Sequence, residues 1–151
     1  MAGPDRDEPR GRGRRGAGPG PGPCGGPGGG GPGGGRYRRS VLEAAILSSL
    51  AESTSHGYTL VDQIEALTAD LVCNDPGSMY RLLRALEEDG LVSSSWQTPE
   101  AGPSRRVYAI SERGIEALEL MAWSLLQRAT SMQHLADHAT EAVARWRNSG
   151  S

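Results

Sequence analysis

The chain has no lysine and no phenylalanine among its 151 residues, and only two cysteines. Each scarcity excludes something. Without Phe, any core must be built from Leu, Ile, Val, Ala and three Trp. Without Lys, every basic contact must come from Arg, whose planar fork suits bidentate binding of phosphate and guanine. Cys24 and Cys73 lie in unrelated surroundings, which gives neither a metal-site spacing nor a disulfide framework. Two free thiols in a reducing compartment is the resulting expectation. No apolar run approaches the roughly 18 residues of a membrane span, and the N-terminus lacks the apolar stretch of a secretory signal. These absences point to a cytoplasmic chain with no membrane partner.

Glycine and proline are plentiful but crowded into the first 35 residues. That stretch holds too little apolar surface to offset the entropy of ordering it. Residues 1–39 therefore read as a disordered Gly/Pro/Arg-rich tail. They carry eight Arg against Asp5, Asp7 and Glu8, a balance of +5, while residues 40–151 carry eight Arg against fifteen acids, a balance of −7. Arg10, Arg12, Arg14 and Arg15 read either as an arm touching nucleic acid without sequence preference or as a solvated tail. Arg36, Arg38 and Arg39 abut the folded part and have the better claim to phosphate. About 110 residues remain to fold, enough for one small core but near the size where a partner subunit helps.

From Val41 the pattern becomes helical, with Leu42, Ala45, Ile46, Ser49 and Leu50 on one face. Thr54–Gly57 breaks this helix, and a second places Tyr58, Val61, Ile64 and Leu67 on one side. Asp75-Pro76 then has the form of an N-cap followed by proline in the first turn. That third helix should stop at Asp89-Gly90. Leu91–Gln97 and Arg105–Ile110 read as strands, with Pro99, Gly102 and Pro103 at the tip between them. Ser111 caps a last, long helix. The expected fold is mainly α with a small β-hairpin: a winged helix-turn-helix over 40–110, then a C-terminal dimerisation helix over 111–147 and a disordered end at 148–151.

On the third helix Met79, Leu82, Leu83 and Leu86 form the core stripe. Arg81 and Arg84 project away from it, Tyr80 sits on the flank, and Ser78 lies in the first turn. A recognition helix needs this arrangement, with Arg reaching guanine edges or phosphates in the major groove. Arg105 and Arg106, beside the wing tip, would lie along the backbone. Glu87, Glu88 and Asp89 would sit at the far end, where they repel DNA least. The competing reading is a surface helix whose Arg residues pair with Glu87 or Glu88.

Three blocks carry a specific likeness: LEAAILSSLAESTSHGYTLVDQIEAL, DPGSMYRLLRALEEDGLV and SRRVYAISERG. In order and at this spacing they resemble the PadR family of regulators over about 75 residues. The resemblance implies a homodimeric repressor that binds a palindromic operator in double-stranded DNA and is released by a small aromatic effector. Carried over by position, it places Ser78, Tyr80, Arg81 and Arg84 on the DNA-facing helix and Arg105 and Arg106 on the wing. His56, Gly57 and Tyr58 match the inter-helix motif and should pack the second helix on the third. The long Gly/Pro tail and the acidic body depart from the family pattern.

The last helix carries a heptad seam. One position reads Ile115, Ala122, Ala129, Ala136 and Val143, and the other Leu118, Leu125, Met132, Ala139 and Trp146. The residues expected to meet a partner helix are Ile115, Leu118, Ala122, Leu125, Ala129, Met132, Ala136 and Val143. The alternative is a helix folded back on its own domain. Trp123, off the seam, and Trp96, in the wing, read either as packing residues or as stacking surfaces for an aromatic ligand. His134 and His138 stand one turn apart with no third ligand nearby, so no metal is expected. No nucleophile–base grouping or phosphate loop occurs, so neither an enzyme nor a cofactor is expected. Two other functions stay open: a winged domain used for protein contact, and accessory nucleic-acid binding by the Arg/Gly tail.

Overall fold

The computed structural model describes residues 32–150; Arg10, Arg12, Arg14 and Arg15 of the expected nucleic-acid arm, with the rest of the tail before residue 32, lie outside the described residues. Four helices and three short strands follow one another: α1 (Pro32–Glu52), β1 (Ser55–His56), α2 (Gly57–Thr68), α3 (Pro76–Glu88), β2 (Val92–Gln97), β3 (Arg105–Ile110) and α4 (Glu112–Ser149). The fold is mainly helical with a small antiparallel sheet, in the winged helix-turn-helix order.

Helix α1 is the axis of the core. It touches α2, α3, β3 and α4, so more than one of its faces is covered. This widens the buried stripe beyond the expected residues to include Val41, Ala44 and Leu47. Ile46 and Leu47 are both completely buried, and each such side chain contributes about 1.5–3 kcal/mol relative to exposure. The start of α1 departs from expectation. It lies at Pro32, not Val41, although the following glycines are poor helix formers. Proline suits the first turn of a helix, and side-chain bonds from Arg38 to Asp75 and from Arg39 to Glu43 hold the next turns.

Helix α2 buries Leu60, Val61, Ile64 and Thr68. The expected partners Tyr58 and Leu67 are instead 51% and 58% exposed. Thr68 replaces them in the core by donating its hydroxyl to the Ile64 carbonyl at 2.7 Å, which satisfies a buried polar group within the helix. Cys73, in the loop after α2, corrects a further expectation: it is disulfide-bonded, and no described cysteine is free. With only two cysteines in the chain, spacing alone could not mark that bond.

Helix α3 ends in a Schellman motif. The Leu91 N–H donates to the Leu86 carbonyl at 2.9 Å and that of Gly90 to Glu87 at 3.0 Å, with Gly90 at φ +75°. This reversal sends β2 back across the end of α3. Strands β2 and β3 pair from Val92↔Ile110 to Gln97↔Arg105. The sheet has a third strand absent from the sequence reading: Ser55 and His56 pair with Tyr108 and Val107, giving the order β1-β3-β2. Two residues show no alternation, so only the pairing reveals them as a strand. At the base of the hairpin the Ser111 N–H donates to the Leu91 carbonyl at 3.0 Å and its hydroxyl to the Gly90 carbonyl at 2.6 Å. The Ser111 hydroxyl also accepts from the Gly114 N–H, capping α4.

Helix α4 begins on its own domain. Gly114 is buried, and Ala117, Leu118 and Met121 pack against the core. Leu118, expected at a partner interface, packs partly buried against the core of its own chain, because the first turns of α4 cover α1. From Leu126 onward every described residue of the helix is exposed. The helix is 38 residues long, reaching two residues beyond the expected end at 147.

Candidate nucleic-acid interface

Helix α3 is a ridge with an arginine-lined furrow on each side. Its four core residues Met79, Leu82, Leu83 and Leu86 are buried, which forces the opposite face outward. Its N-terminus is fixed by Asp75, whose carboxylate accepts from the Ser78 N–H at 2.8 Å and from the Ser78 hydroxyl at 2.7 Å. Those two bonds, with a smaller effect of Arg38, hold the Asp75 carboxyl below its usual pKa. The Ser78 hydroxyl in turn accepts from Arg81 at 3.1 Å. Ser78, expected on the DNA-facing surface, is half-buried and bonded on both sides, to Asp75 and to Arg81.

The wing-side furrow is a cleft of about 580 Å³ lined by Tyr58, Tyr80, Arg84, Glu87, Trp96, Arg105, Arg106 and Tyr108. The structure brings Tyr80, Arg84, Arg105 and Arg106 together here, as expected. Arg81 is absent from this lining and faces the other furrow, toward α1. Neither Arg81 nor Arg84 forms an ion pair among the described residues, so the expected alternative of Arg84 bound to Glu87 or Glu88 is not the arrangement found.

Glu87 instead reaches the wing, which corrects its placement at a remote end. Arg106 donates to Glu87 Oε2 at 2.7 Å and through Nε to the Ser94 hydroxyl at 2.8 Å, while that hydroxyl donates to Glu87 Oε1. The Arg106 guanidinium also lies 5.6 Å from the Tyr108 ring centre and 6.0 Å from that of Trp96. These distances fall within cation–π range. Burial pushes the Tyr108 hydroxyl pKa up, partly opposed by Arg106. The reversal at Gly90 is the cause: it folds β2 and β3 over the last turn of α3, and 19 residues of separation hide the contact from local sequence patterns.

Two tyrosines of this cleft lie outside the expected site: Tyr108, and Tyr58, which was read only as a packing residue. Arg105 donates to its hydroxyl at 3.0 Å and lies 5.7 Å from its ring centre. A helical wheel centred on Leu60, Val61 and Ile64 places Tyr58 well off the core stripe, and that was the available signal. Gly57 explains the His-Gly-Tyr motif. A Cβ there would stand 3.1 Å from Tyr80 Cε1 and 3.3 Å from Tyr108 Cε2. The motif thus packs the start of α2 against α3 and the sheet. Of the two tryptophans read as ligand candidates, Trp96 lines the wing cleft and Trp123 does not; the latter is 65% exposed on α4.

The heptad positions Ala122, Ala129, Met132, Ala136 and Val143 lie exposed along α4, with Met132 65% and Val143 49% accessible. Ile115 is 39% exposed and Leu125 is half-buried. Such a run of exposed apolar residues on one helix face is a surface that wants cover. Among the described residues no cluster of His, Cys, Asp and Glu could hold a metal, and no helix is long and apolar enough to cross a membrane.

Comparison with known proteins agrees with this geometry. The chain is 36% identical over 90 residues to the Escherichia coli protein named Transcriptional regulator YqjI, covering 57% of this chain and 42% of that protein. It therefore spans less than half the length of that curated relative. Among solved structures, a PadR-like transcriptional regulator from Bacillus cereus superposes with a TM-score of 0.57 at 27% identity, covering 66% of this chain and 95% of its own. A transcriptional regulator from Clostridium thermocellum gives 0.52 at 25% identity, covering 62% and 92%. The relatives are named as regulators of transcription, not as enzymes. Residues 46–120 match the family described as Transcriptional regulator PadR-like, and the chain belongs to that family.

Proposed function

We propose that this chain is a homodimeric transcriptional repressor that binds a palindromic operator in double-stranded DNA and releases it when a small aromatic effector binds. The observation that carries the reading is the ridge of α3, with Arg81 on one side and Arg84, Arg105 and Arg106 on the other. A helix of this kind fits the major groove, with Arg81 and Arg84 reaching base edges and the wing arginines lying along phosphates. Tyr80, 42% exposed beside Arg84, adds a hydroxyl to the same face.

The dimer rests on α4, whose exposed apolar stripe would pair with the same stripe of a second copy under two-fold symmetry. Two α3 ridges held in that way match a palindrome. For the effector, Trp96 in the wing cleft and Trp123 on α4 are the exposed rings onto which an aromatic molecule would stack. Binding at Trp96 would compete with the backbone for the wing.

A gel shift with the DNA upstream of the chain's own gene tests the reading. A shifted band at low salt is expected, and Arg81→Ala should weaken specific binding by about 1–3 kcal/mol if Arg81 reads a base. Absence of any shift at low salt would favour the other reading, a winged domain used for protein contact. The net charge of −7 over residues 40–151 is the feature that supports that alternative.

A further inference from the structure

We propose that the N-terminal end of α1 is a second phosphate-binding wall, gripping the DNA strand on the side of the major groove opposite the wing; this rests on the DNA-binding reading above. The family match begins at residue 46, so this end of α1 lies before it.

The wall is built from α1 and α3 together. Arg38 and Arg39 line a furrow of about 270 Å³ with Ser78 and Arg81, and no acidic residue lines it. Three guanidinium groups from two helices therefore open onto one space. Each has a reserve of donors. Among the described residues Arg81 is held only by the Ser78 hydroxyl at 3.1 Å. Arg38 meets Asp75 at 3.5 Å, the outer limit of a hydrogen bond, with both side chains well exposed. Exposed pairs of this kind contribute little, so exchanging Asp75 for a phosphate costs little. Arg39 donates its Nε to Glu43 at 2.6 Å, which raises its pKa, and its two terminal nitrogens remain able to face the furrow.

The geometry of DNA supplies the occupant. A helix about 10–12 Å across fills a major groove about 12 Å wide, so a phosphate strand runs along each side of it. The wing furrow, with Arg84, Arg105 and Arg106, meets one strand. The α1 furrow is the matching cationic wall for the other, and without it one strand would run past α3 with Arg81 as its sole cation. The helical extension from Pro32 to Ser40 thereby gains a purpose that its glycine content does not suggest.

The test compares the full-length protein with the Arg38→Gln/Arg39→Gln double variant in fluorescence-anisotropy titrations of a labelled 30-base-pair duplex across a range of salt. Each phosphate contact adds about 0.9 to the slope of log K against log salt. Loss of one or two contacts should flatten the slope by about 0.9–1.8 and weaken binding about eight- to sixty-fold at 0.1 M salt. Arg128→Gln, outside both furrows, removes charge without removing the wall and should leave the slope unchanged. An unchanged slope in the double variant, or an equal loss in Arg128→Gln, overturns the proposal while leaving DNA binding intact. Failure of the unaltered protein to bind any duplex overturns both. Phosphate-ethylation interference with the unaltered protein gives an answer independent of any variant: interfering phosphates on both sides of the groove are expected, and a wing-side set alone refutes the second wall.

Discussion

Replacing Glu87 by Gln removes one negative charge from the wing cleft while keeping the shape of the side chain. In the native arrangement Glu87 holds Arg106 at 2.7 Å, and both side chains are partly exposed, at 28% and 41%. An ion pair in that setting contributes about 0.2–1 kcal/mol, and Gln can still bond Ser94 and Arg106, so the variant should lose less than about 1 kcal/mol of stability. The effect on DNA has the opposite sign. In the proposed complex Arg106 meets its phosphate without sharing its charge with Glu87, and the acid that would repel that phosphate is gone. Removing that offset, worth about one full contact, steepens the salt slope by about 0.9 and tightens binding about eightfold at 0.1 M salt. The assay pairs urea denaturation with anisotropy titrations at several salt concentrations. A Glu87→Gln protein that binds DNA more weakly, or with an unchanged slope, would show that the pair aims Arg106 at the DNA and does not restrain it. That outcome would refute the reasoning.

Other consequences follow from particular contacts. A Cβ on Gly114 would stand 2.2 Å from the Leu91 carbonyl oxygen; Gly114→Ala should therefore cost about 1–3 kcal/mol through overpacking, visible as a lower Tm. On the proposed dimer, Met132→Asp combined with Val143→Asp alters only residues exposed in the single chain, so sedimentation should report a folded monomer; a dimer of unchanged strength would remove α4 from the proposed interface. Asp75 caps α3 with a pKa held below the usual carboxylate range, so its stabilisation is present above about pH 4 and fades as pH falls through the lowered value. Thermal melts of the native protein and Asp75→Ala should accordingly differ at pH 7 and converge in strong acid.

Local chemistry made much of this fold legible in the chain itself. The Met79, Leu82, Leu83 and Leu86 stripe, the Asp75-Pro76 start and the Asp89-Gly90 stop define α3 by periodicity and capping, and those signals act within a few residues. The same stripe requires that Arg81 and Arg84 face outward, whatever packs behind it. The length and heptad spacing of α4 are likewise properties of neighbouring residues.

What the sequence did not determine were the relations between separated elements. That Arg81 faces α1 while Arg84 faces the wing depends on what flanks α3. That Arg106 is bound by Glu87, and Arg105 by Tyr58, depends on the hairpin folding back over α3 and the start of α2. Leu118 satisfies the heptad, yet the docking of α4 on α1 assigns it to its own core. Periodicity states which face of a helix is apolar, but only packing states what that face meets. The number of arginines was therefore readable from the chain, whereas the pairing of Arg106 with Glu87 and of Arg38 with Asp75, and the division of the arginines between a wing furrow and an α1 furrow, were set by the tertiary structure.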